Sequence, residues 1–211
     1  MMLTEQTVVP EEALPLAEMR AHLRLGTGFA DDAAQDAILE SHLRAALAAI
    51  EGRTAKILLA REFLWQLEAW RELDEQALPV APVIAVASVT MRDRDGVASV
   101  IDPGRWRLVK DAHRPRIVAT GAMLAGIPPG GVAEIAFTAG FGAAWAEVPV
   151  DLRQAVLLLA AQYHERRHEA GAGAGASGAM PFGVMALIER WRTVRVLGGR
   201  SSGGRPFGVR P

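Results

Sequence analysis

The chain has 211 residues, half of them apolar and 22% charged, with 23 basic against 24 acidic side chains and a formal net charge of −1. That length suffices for one domain with a real core, and the absence of cysteine excludes disulfides and thiolate chemistry. A balance so close to neutral argues against a phosphate-gripping surface as the main business of the protein, although its basic residues are nearly all arginine, with Lys56 and Lys110 the two lysines.

Leu16 to Leu25 predicts a short first helix, with Pro15 placed to start it and Gly26 to end it. Asp31 or Asp32 is placed to cap a second helix running to about Leu58. Ile38, Leu39, Leu43, Ala46, Leu47 and Ile50 form its apolar face, and Gly52 weakens its last turns. Phe63, Trp65, Leu67 and Ala69 alternate with Gln66 and Glu68, the pattern of a half-buried strand. Further strands are predicted at Ile84 to Arg92, Ser99 to Ile101 and Trp106 to Lys110, with Asp95-Gly96 as a hairpin turn. Val132 to Thr138 is the clearest strand, presenting Val132, Glu134, Ala136 and Thr138 on one face and Ala133, Ile135 and Phe137 on the other. Gly140 and Gly142 end it, and Pro149 leads into a helix whose stripe is Leu152, Val156, Leu159 and Tyr163, widened by Ala155, Leu158 and Gln162.

The expected fold is α+β: a helical bundle with a small antiparallel β meander inserted and a flexible basic C-terminal tail. The expected divisions are 1–60 (helices), 61–142 (inserted β region), 143–197 (helices) and 198–211 (extended tail). From Arg190 onward there are six arginines and no carboxylate, and beyond Leu197 the composition is too poor in apolar residues to pack alone. No basic start precedes an apolar run and no stretch reaches transmembrane length, so the expectation is a soluble protein made in the cytoplasm, with no membrane partner.

Two motifs invite enzymatic readings. His164-Glu165-Arg166-Arg167-His168 fits H-E-x-x-H, in which two histidines one turn apart bind zinc and the glutamate activates water, with Glu189 as a candidate third ligand. Two arginines inside the motif place positive charge beside a cation, the run closes a polar helix end, and Ala174 stands where a third histidine would be required. A zinc-dependent peptidase is therefore the alternative rather than the leading reading, and no cofactor or metal is expected. Gly173-Ala174-Gly175-Ala176-Ser177-Gly178 matches G-x-G-x-x-G but follows a helix, and a linker explains it better. His22 and His42 sit in helical patterns beside arginines and read as packed or solvated. His113 lies in a turn-like Asp111-Ala112-His113-Arg114-Pro115 segment.

The run from Phe137 to Arg167 carries a family resemblance. Phe137-Thr138-Ala139-Gly140-Phe141-Gly142, then Val148-Pro149, Leu152-Arg153-Gln154-Ala155 and Tyr163 to Arg166 resemble the head-tail connector (adaptor) proteins of tailed bacteriophages and gene transfer agents. Met19 to Leu25, the acidic pair Asp31 and Asp32, and the closing Val184, Leu187, Ile188 and Trp191-Arg192 are similar to the same family, so the likeness spans about residues 14 to 195. The Gly/Ala stretch 171 to 178 and the tail after Leu197 follow no pattern of that family.

The resemblance implies a structural protein, not an enzyme, located at the head-tail interface of a phage or gene transfer agent particle. It implies a homo-oligomeric ring of about twelve copies on the portal, joined to a stopper or tail component, with double-stranded DNA passing through without sequence-specific contact. The residues expected to dock on a partner are Arg190, Arg195, Arg200, Arg205 and Phe207 of the basic segment. Trp145, on the loop before Pro149, is expected either at an interface or in the core.

Overall fold

The computed structural model describes residues 1–25, 32–166 and 180–192. Among them, four α-helices and eight strands build two packed cores, and the contacts that join them form a waist.

The helical core comprises α1 (Leu16–His22), α2 (Asp32–Thr54), α3 (Val150–Glu165) and α4 (Phe182–Ile188). Leu39, Leu43, Ala46, Leu47 and Ile50 of α2 are buried as the 3.6-residue period requires, whereas Ile38 stays 43% exposed at the border of that stripe. α2 ends at Thr54 rather than near Leu58. Ala55 adopts a positive φ of 56°, and the Thr54 hydroxyl bonds back to the Ile50 carbonyl at 2.8 Å. On α3, Leu152, Ala155, Val156 and Leu159 are buried against α2, and α4 adds Val184 and Ile188.

The β region overturns the expected helical bundle with a small inserted meander. One sheet has five strands in the order β1 (Met2–Glu5), β2 (Arg61–Leu67), β8 (Val132–Ala139), β4 (Val83–Arg92) and β5 (Ala98–Val100). The second has three, ordered β3 (Glu75–Ala77), β7 (Arg116–Ala119), β6 (Trp106–Val109), and every pairing in both sheets is antiparallel. A meander pairs neighbours in sequence, but here β2 pairs with β8, setting Trp65 opposite Ile135, and β8 lies between β2 and β4. The face carrying Phe63, Trp65, Leu67, Val89, Met91, Ala133, Ile135 and Phe137 is buried, and with Leu78, just after β3, and Ile117 of β7 it forms a core of its own. Phe63 and Phe137 stack there with centroids 5.6 Å apart. The β region is thus a second packed layer structure, comparable in size to the helical part.

The waist is held by polar contacts. Arg61, at the start of β2, donates to both carboxylate oxygens of Glu51 near the end of α2 (3.0 and 2.6 Å) and lies 2.9 Å from Glu5 of β1. The same Glu51 carboxylate accepts the Leu58 N–H at 2.8 Å, so one nearly buried ion pair ties a helix, a linker and a sheet together. Gly140 closes β8 with φ 140°, and a Cβ there would fall on the backbone of Ala60. Only glycine lets these two segments pass so closely.

Candidate functional site

The last described residues, up to Arg192, form an organised polar site against the start of α3. A single 3-10 turn, Glu189–Trp191, follows α4 and swings Trp191 toward the start of α3. Its indole N–H donates to Asp151 Oδ2 at 2.6 Å, while Asp151 Oδ1 accepts the Leu152 N–H at 3.0 Å. A carboxylate in the first turn of a helix is favoured by the exposed amides and the dipole there, so Asp151 is stabilised before it meets either partner. Arg190 completes the node, with its Nε 2.6 Å from Asp151 Oδ2 and its guanidinium 4.8 Å from the centre of the Trp191 ring.

Trp191 is flanked by two rings. Phe141, from the glycine loop after β8, meets it edge to face at 5.4 Å, and His113 stacks on it at 6.2 Å. His113 is held in place by its own loop, where Asp111 Oδ1 accepts the His113 and Arg114 N–H groups at 2.7 and 2.8 Å. Those two backbone bonds hold the Asp111 carboxyl below the usual aspartate range. Helix, glycine loop and β6–β7 hairpin therefore converge on one tryptophan, immediately before the basic segment. Near the same waist, Lys56 is fully buried and its Nζ has no hydrogen-bond partner. Burial pushes its pKa down, opposed by the charge of Asp111.

Of the residues expected to dock on a partner, Arg190 is thus engaged with Asp151 while its side chain remains 69% exposed. Arg195, Arg200, Arg205 and Phe207 lie outside the described residues. Trp145 is 8% exposed within the helical core, and its indole donates to Glu18 Oε2 at 3.1 Å, joining the loop before α3 to α1. Sequence reasoning left Asp151 and Phe141 without a role and placed His113 only in a turn. An acid two residues after Val148-Pro149 reads as a routine first-turn residue, and nothing in spacing reveals that a tryptophan 40 residues later reaches it.

Among the described residues the zinc reading finds no third ligand. His168 lies outside the described residues, and His164 packs edge to face with His42 of α2 at 5.7 Å. Glu189 stands next to Arg190 at the opposite end of α3, about 20 Å from His164 along a helix rising ~1.5 Å per residue. Among the described residues, no group of three or more His, Asp or Glu side chains is placed to hold a metal ion. No described helix is long and apolar enough to cross a membrane.

No protein-family model matches the chain, and no curated protein matches it. Solved structures do. A chain from the neck of an empty gene transfer agent (GTA) particle, computed with C6 symmetry, is 64% identical with a TM-score of 0.85. A chain from the virion of the native GTA particle is 64% identical with a TM-score of 0.81. A chain from the neck of the native particle, computed with C12 symmetry, is 60% identical with a TM-score of 0.80. Each alignment covers 95% of this chain and 100% of the other.

Proposed function

We propose that this chain, which belongs to the family of gene transfer agent neck proteins, is the adaptor of the head-tail connector. It is a structural component of the particle. In this reading, copies assemble as a ring on the portal vertex, receive a stopper or tail component below, and leave a channel through which double-stranded DNA passes. The observation that carries the proposal is identity of 60–64% over the whole length of chains from a gene transfer agent virion and from two necks, computed with C6 and C12 symmetry. Both symmetries fit a ring of twelve. A net charge of −1 suits a channel wall that lets DNA slide, since many phosphate contacts would make passage slow and strongly salt-dependent.

The Trp191 node gives the docking idea a physical form. A basic segment with Arg195, Arg200, Arg205 and Phe207 starts from a fixed point, so its effective concentration at a neighbouring groove is set by a short tether rather than by free diffusion. The divisions 1–60, 61–142, 143–197 and 198–211 remain our working description, with the last as the docking arm. The test is co-sedimentation of the chain truncated after Leu197 with portal-containing capsids. The expected result is a folded protein that no longer stays on capsids, with filled heads that lose DNA or fail to gain tails. Wild-type occupancy together with normal gene transfer overturns the assignment of docking to the tail. Absence of the full-length chain from purified necks overturns the adaptor reading itself.

A further inference from the structure

The five-stranded sheet ends in two strands that no described residue covers. All four residues of β1 and all three of β5 are exposed, and each lies at an edge of the sheet. Open edges are aggregation hazards that soluble proteins blunt with lysine, proline, bulges or a covering element. Neither strand contains lysine or proline, and the irregularities in pairing fall in β4. Apolar side chains instead stand out from both, with Met2 57% and Leu3 38% exposed at β1, and Val97 66% and Val100 67% exposed at β5.

We propose that these edges are the contact between neighbouring copies: the β1 edge of one chain packs against the β5 edge of the next. The inference rests on the ring reading above. A closing ring needs two different surfaces on opposite sides of one subunit, and opposite edges of one sheet provide them. Charge adds little to the contact, because Glu5 is paired with Arg61 at one edge while Arg92 is paired with Glu134 and Arg94 with Asp95 at the other, so the exposed apolar side chains carry it.

The dimensions agree as well. Five strands at ~4.8 Å give each copy a width of about 24 Å, and twelve such widths close a ring of about 45 Å radius, ample for a DNA channel. Four strand-to-strand steps of ~20–25° leave β5 strongly rotated relative to β1. The two edges therefore meet crossed, which confines the contact to a few side chains. Met2 and Val100 are the natural pair. The pairings Met2 with Gln66, Gln66 with Glu134, Glu134 with Thr90 and Thr90 with Val100 put both at one level and on one face of the sheet.

A chain without cysteine makes the test clean. Met2→Cys with Val100→Cys, built into particles and mildly oxidised, is expected to give a ladder of covalent multimers on a non-reducing gel, and either single variant is expected to stay monomeric. As a second arm independent of cysteine geometry, Leu3→Lys with Val100→Lys is expected to leave the free chain folded, by circular dichroism and thermal melting, yet at least tenfold depleted from particles. Wild-type occupancy of the lysine variant overturns the proposal even while the wild-type chain resides in necks, and so does a normal neck without cross-links. If the wild-type chain itself is missing from necks, the adaptor reading fails and takes this interface with it.

Discussion

Asp151→Ala should release the base of the docking segment. The carboxylate accepts the Trp191 indole N–H at 2.6 Å, pairs with Arg190 at 2.6 Å, and sits in the first turn of α3. A hydrogen bond to a charged acceptor contributes about 1.5–3 kcal/mol, and an acid at a helix start about 0.3–1 kcal/mol. The Arg190 pair is discounted to a few tenths, because that side chain is 69% exposed and solvent screens it. One carboxylate makes all three contacts, so they do not add, and the expected loss is about 2–3 kcal/mol. For a chain of this length that is a fall of about 5–10 °C in melting temperature by calorimetry. Asp151→Asn, which keeps an oxygen for Trp191 but not the charge, should lose about half as much, and 1 M salt should narrow its gap to wild type. Capsid occupancy should fall with Asp151→Ala while the helical circular dichroism of the free chain is retained. A melting temperature within about 1 °C of wild type, the usual error of the assay, would show that the node is incidental to the fold.

Glu51→Ala leaves the Arg61 guanidinium nearly buried with Glu5, the Leu59 carbonyl and the face of Phe63 as partners, and urea unfolding should register a loss of about 3 kcal/mol. Glu134 is held below the usual glutamate value of 4.5, chiefly by hydrogen bonds from Arg92, with Gln66 adding to the effect. A carboxyl lowered in the folded state contributes stability that is present above 4.5 and lost as pH falls through the folded value. Glu134→Gln should therefore lose less stability than wild type as pH falls below 4.5, and parallel acid titrations of the two would refute this. Gly140→Ala combines a φ of 140° with a Cβ on the Ala60 backbone and should cost about 3 kcal/mol in chemical denaturation. Gly52→Ala, inside α2 with open space around its Cβ, should instead stabilise by about 0.8 kcal/mol.

The helices and long strands were legible because burial on one face leaves a period. β8 alternates half-buried and buried along its whole length, and β4 and β6 lie within one residue of the expected bounds. The three strands that went unseen carry no such period. β1 is exposed at every position, β3 is three residues long with a single buried glutamine, and β7 is four residues with one fully buried side chain. Each is a strand because a partner strand fixes it, and pairing between β2 and β8 spans some 70 positions of chain that no local window contains. Missing those three reduced an eight-stranded, two-sheet structure to a small meander.

The site was hidden for a related reason. Arg190 and Trp191 read locally as the end of a helix and the start of a basic tail, and their chemistry depends on Asp151, Phe141 and His113 arriving from three other elements. What brings them together is the waist. Gly140 sets β8 against the Ala60 segment, the loop it opens carries Phe141 to Trp191, and the next α-helix to follow is α3 with Asp151 in its first turn. A substitution at Gly140 therefore acts on the Trp191 node as well as on the fold. This yields a consequence that stability alone does not: Gly140→Ala should depress capsid docking beyond Glu51→Ala at matched stability, since Gly140 directly precedes Phe141 whereas Glu51 reaches Phe141 only through Leu58. Equal docking by the two variants, compared at temperatures where both are equally folded, would separate the waist from the docking base and leave the Asp151 contacts acting alone.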